Sequence, residues 1–89
     1  MVKKLEDTLH AINIFIDKQI SFVNTKKVRK YLNIDSSNRS KMYFIGRSLQ
    51  ILKKHGILEE IKRSNIINYK LVRKEKIKIQ DFIEQLEIN

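Results

Sequence analysis

The chain is expected to fold as a small α+β domain, mainly helical with one β-hairpin, in the order helix, short strand, helix, helix, hairpin, helix. Three observations predict this. Apolar residues recur at helical spacing in four segments, a turn-rich stretch divides the middle two, and the residues after Gly56 change to an alternation of period two. With 89 residues there is room for one domain over 1–89 and one core, and none for a second.

Leu5, Leu9, Ile12 and Ile16 recur every three or four residues, so 4–18 reads as an amphipathic first helix, with Phe15 extending the stripe. Ile14 points away from that stripe, toward the side a monomer ordinarily gives to polar groups. Ser21-Phe22-Val23 fits a short strand. Asn24 or Thr25 can cap a second helix over 25–32, with Val28, Tyr31 and Leu32 facing inward. Asn33 to Ser37 supplies turn residues and a cap for a third helix, about 38–55. Met42, Ile45, Leu49 and Leu52 form one face of it at about 100° per residue, widened by Phe44 and Ile51.

His55-Gly56 ends that helix, because glycine accepts the left-handed conformation common just past a helix C-terminus. Ile57–Lys62 and Ile66–Arg73 are expected to pair as a hairpin joined by Arg63-Ser64-Asn65. Within it Ile67, Tyr69 and Leu71 alternate with Asn68 and Lys70, as on a sheet with one buried face. Ile79, Phe82, Ile83 and Leu86 mark a last amphipathic helix, about 78–87.

Charge is spread unevenly. Residues 24–56 hold nine basic and one acidic side chain, or +8 of the chain's net +9, whereas 1–23 are neutral and 75–89 carry −2. Such concentration on two successive helices predicts a polyanionic partner rather than a uniformly solvated basic surface. The absence of cysteine excludes disulfides, thiolate catalysis and Cys-ligated zinc. His10 and His55 fall outside metal-ligand spacing, and Glu59 and Glu60 point to opposite faces of a strand. The two glycines stand alone and form no phosphate loop. No catalytic residue, metal or cofactor is therefore expected, nor any enzyme activity or small-molecule ligand.

No apolar run approaches the length of a membrane span, and Met1-Val2-Lys3-Lys4 lacks the apolar core of a signal peptide. A cytoplasmic location is expected. The last helix is acidic, which argues against a membrane surface as the partner.

This order of elements resembles a winged helix-turn-helix domain. The resemblance rests on Thr25-Lys-Lys-Val-Arg-Lys-Tyr-Leu32 as the first helix of the motif. Leu49-Gln-Ile-Leu-Lys-Lys-His-Gly-Ile-Leu58 is similar to the recognition-helix end, glycine turn and first wing strand of many small bacterial and archaeal regulators. Ile67-Asn-Tyr-Lys-Leu71 matches the returning strand. The likeness covers nearly the whole chain and is nearest in flavour to small regulators of archaea, their plasmids and their viruses. A long, polar turn at 33–38 departs from the commonest pattern. The resemblance implies double-stranded DNA binding by a homodimeric transcription regulator.

The residues support specific expectations within that frame. The outer arc of the third helix carries Arg39, Ser40, Tyr43, Arg47 and Gln50, types that read bases; arginine forks onto guanine and glutamine onto adenine. Gly46 lies at the edge of the arc. Glycine inside a helix costs about 1 kcal/mol relative to alanine, which calls for close packing or the approach of a backbone. Lys26, Lys27, Arg29, Lys30, Lys41 and Lys54 are expected on DNA phosphates, which position a protein without reading sequence. Lys62, Arg63, Ser64 and Asn65 form a wing suited to the DNA backbone or minor groove. Ile14, Phe82 and Leu86 are expected at a two-fold interface, since a small domain adds apolar burial by assembling; otherwise the terminal helices close the monomer core.

The expected function is sequence-specific binding of duplex DNA by a transcription regulator, with helix 38–55 in the major groove and the 62–66 wing beside it. Two alternatives use the same features. One is a plasmid partition or site-marking protein that assembles along DNA. The other is a winged-helix interaction module whose basic face docks an acidic protein.

Overall fold

The computed structural model describes residues 2–63 and 66–88, which form four helices and a three-stranded antiparallel sheet. In chain order these are α1 (Val2–Asp17), β1 (Phe22–Val23), α2 (Thr25–Tyr31), α3 (Arg39–Lys54), β2 (Leu58–Arg63), β3 (Ile66–Leu71) and α4 (Ile79–Ile88). The α+β class and the order of elements are those expected. Among the described residues no helix is long and apolar enough to cross a membrane.

The sheet order is β1-β3-β2, so the last strand returns between the first two. Phe22 lies opposite Lys70 and Val23 opposite Tyr69, while β2 runs along β3 from Leu58 opposite Leu71 to Arg63 opposite Ile66. α3 packs against α1, α2 and β2, and α2 against α3 and α1, around one shared core. Leu9 and Ile12 of α1, Val23 of β1, Val28 of α2 and Leu49 and Leu52 of α3 are fully buried at its centre. Burying each such side chain contributes roughly 1.5–3 kcal/mol, and this shared core holds the helices to the sheet.

Polar side chains at the joints decide where elements begin and end. The Asn24 carbonyl oxygen accepts from the Lys27 N–H at 2.8 Å, and the same amide donates to Asn68 Oδ1 at 2.9 Å. One side chain caps α2 and ties it to β3. Asn38 caps α3 through the Lys41 N–H, so the cap comes from a later residue than the expected 33–37 and the helix starts at Arg39. The earlier residues are occupied by their own turn, where Ser37 donates to the Asp35 carboxylate from both N–H and Oγ. At the other end Gly56 has φ +79°, and the N–H groups of Gly56 and Ile57 close onto the carbonyls of Lys53 and Leu52.

The chain after β3 is fastened by Asn13. Its amide accepts from the Ile77 N–H at 2.7 Å and donates to the Ile77 carbonyl at 3.0 Å, pinning residue 77 to α1, while Lys76 pairs with Asp17 at 2.8 Å. Ile77 and Ile83 are buried, and Ile79, Phe82 and Leu86 pack half-buried against the core.

Several inward expectations are corrected. Tyr31 is 45% exposed, because it ends α2 at the rim of the core, where its ring meets Phe15 only edge-on. Ile67 shares a face with buried Tyr69 but is itself 44% exposed, since burial fades toward the hairpin tip. Arg63 belongs to β2 rather than to the connection, and β3 ends at Leu71 rather than Arg73. Conversely, Ser48 is fully buried on the apolar face of α3. It is tolerated there because its hydroxyl donates to the Phe44 carbonyl at 2.8 Å.

Candidate nucleic-acid interface

With its apolar face anchored and both ends capped, α3 presents a fixed outer surface. Helical periodicity brings Arg39, Ser40, Tyr43, Arg47, Gln50 and Lys54 into an arc of about 100°, opposite buried Ile45, Ser48, Leu49 and Leu52. All six are exposed, Tyr43 to 61%. The side chains of Arg39, Ser40, Arg47, Gln50 and Lys54 form no hydrogen bond or ion pair with any other described residue, and the Tyr43 ring meets Phe44 edge-on. Three cations, an amide and two hydroxyls thus point outward from a rigid support with their donors unspent.

The cations of α2 are arranged differently. Lys26, Lys27 and Lys30 are exposed on a common arc, but Lys27 Nζ donates to the Phe22 carbonyl at 2.9 Å. Arg29 lies on the other side of the helix, half-buried, with Nη1 donating to the Ile34 carbonyl at 3.1 Å. Arg29 thereby ties α2 to the turn that follows. Lys41 is also displaced. In the first turn of α3 it points about 150° from the centre of the polar arc, and with Asp7, Leu32, Ile34, Phe44 and Ile45 it lines a cleft of about 240 Å³.

Asp35 is the one acid of the basic segment. The N–H and hydroxyl of Ser37 hold its carboxyl below the usual carboxylate range, with Arg29 adding a weaker attraction. The negative charge is therefore kept in the turn. Lys53, which no site reading singled out, bridges from the end of α3 to Glu60 of β2 at 3.1 Å. Its signal was lost among neighbouring lysines, because the partner lies on another element.

In the hairpin Lys62 is exposed opposite Ile67, and Arg63 holds the last ladder position of β2 opposite Ile66. Ser64 and Asn65 lie outside the described residues. Of the residues expected at a two-fold interface, Ile14 is half-buried and outside the core cluster, whereas Phe82 and Leu86 pack against that cluster. Phe82 also meets His55 edge-on at 5.4 Å. Part of their apolar surface is thus already used within the monomer.

Gly46 sits half-buried where α3 passes the start of α2. A Cβ built there would find the Thr25 hydroxyl at 4.0 Å, an ordinary contact, so packing within the chain does not require glycine.

No family model, curated protein or solved structure matches the chain.

Proposed function

We propose that this chain is a sequence-specific, double-stranded DNA-binding protein of the winged helix-turn-helix type, acting inside the cell as a homodimeric transcription regulator. The observation that carries this reading is the unspent polar arc of α3, three cations with Ser40, Tyr43 and Gln50 on a capped, anchored helix. Further support comes from the β2-β3 hairpin, whose first strand packs on that helix, and from the net +8 of residues 24–56.

The arc from Arg39 to Lys54 is about 22 Å long, and an α-helix fits the major groove of B-DNA along such a length. Arg39 and Arg47 are suited to the O6 and N7 acceptors of guanine, Gln50 to adenine, and Tyr43 to a thymine methyl or a phosphate. Lys26, Lys30 and Lys54 act on phosphates, and Lys62 and Arg63 extend the contact to the flanking backbone or minor groove. Ile14, with the outer edges of Phe82 and Leu86, supplies the two-fold contact.

Selection from a pool of random duplexes tests the reading. A homodimer should enrich an inverted repeat with half-sites about 34 Å apart, bound at least ~10³-fold more tightly than unselected duplex. Equal affinity for every duplex would instead indicate a protein that coats DNA. Failure to retain any duplex would reject DNA binding and favour an acidic protein partner.

A further inference from the structure

We infer that Gly46 is a close-approach position, at which one sugar-phosphate strand of a bound duplex passes against the bare backbone of α3. This inference rests on the DNA-binding reading and adds to it a residue that positions the helix without offering a functional group.

Three ordinary reasons for a glycine inside a helix fail here. The backbone does not demand it, since Gly46 lies well within regular α3 and Gly56 is the described glycine with positive φ. The core does not demand it, because an added Cβ meets only Thr25 Oγ1, at 4.0 Å. No side chain beyond its chain neighbours Ile45 and Arg47 comes closer than that hydroxyl to the space a Cβ would take. Yet glycine weakens a helix interior relative to alanine, so the position carries a cost that the isolated fold does not explain.

Its place in the surface suggests what the space admits. Gly46 lies on the rim of the polar arc, one turn from Tyr43 and Gln50, facing the first residue of α2. The middle of the arc, where Tyr43 lies between Arg47 and Gln50, is turned toward base edges, so its rim faces a groove wall, which is sugar and phosphate. Exposed Lys26, next to Thr25, can anchor the same strand. A bare Cα allows a sugar or phosphate oxygen to come within about 3.3–3.6 Å of the carbon itself, in a Cα–H···O contact. A methyl group would hold the strand away.

The test is Gly46→Ala, read by thermal unfolding and by affinity for a selected and an unselected duplex. The thermal midpoint should rise by roughly 4–8 °C, because the fold accepts the methyl and the helix gains. Affinity should fall roughly tenfold for both duplexes, since a strand contact carries no sequence information. Unchanged affinity would overturn the inference while leaving DNA binding intact, and a lowered midpoint would return the glycine to the fold. Loss confined to the selected duplex would turn Gly46 toward bases and overturn the strand assignment. Wild-type protein that binds neither duplex rejects both readings.

Discussion

Helices α2 and α3 lie in the same basic segment, each capped by an asparagine, yet they use their cations in opposite ways. In α2 two of the four are turned back onto carbonyls, Lys27 onto Phe22 and Arg29 onto Ile34. In α3 Arg39, Arg47 and Lys54 reach no described partner, and only Lys53 is committed, to Glu60. Net charge thus locates a basic segment but does not say which cations are available. A cation that satisfies a carbonyl helps hold the fold; one that satisfies nothing remains free for a ligand.

The contrast is sharpest between Arg47 and Arg29. Arg47→Ala should cost about 1–3 kcal/mol of affinity for the preferred duplex, a loss of one bidentate base contact, with a smaller loss on unselected duplex. Its thermal stability should stay within about 0.5 kcal/mol of wild type, as for other surface changes. Parallel titrations on the two duplexes measure this, and an unchanged affinity ratio would move base readout away from Arg47.

Arg29→Ala should show the smaller and reversed pattern. Loss of its hydrogen bond to Ile34 should lower stability by about 0.5–1.5 kcal/mol in denaturant unfolding, with little change in duplex affinity. If this variant instead unfolds like wild type and binds poorly, α2 and α3 do not differ as described.

What could be read from the residues was local. The stripe of α1, the two faces of α3 and the glycine stop after His55 follow from spacing and from one residue type, and all appear in the structure. The pattern told which side Ile67 and Tyr31 face but not how deeply they lie, because depth depends on what covers them. At the hairpin tip and at the end of α2, little does. The α3 cap was ambiguous for a related reason. Asn33, Asp35, Ser36, Ser37 and Asn38 can all cap a helix, and the Asp35–Ser37 turn removes two of them from competition.

The joints over long sequence distance were not legible. Asn13 pins residue 77, and Asn24 reaches Asn68, through amides whose partners are specified only once the sheet and helices have docked. The candidate site shares this division. The periodicity that assembles Arg39, Arg47 and Gln50 is local, but the diversion of Arg29 and Lys27 depends on carbonyls of the neighbouring segments.

The measurement that bears most directly on the free arc of α3 is duplex affinity as a function of salt. Each phosphate neutralised releases condensed counterion, with a log–log slope near −0.9. If Lys26, Lys30 and Lys54 of both protomers engage phosphates, log affinity against log salt should fall linearly with a slope of about −5. Affinity indifferent to salt, or no binding even at low salt, would contradict the account.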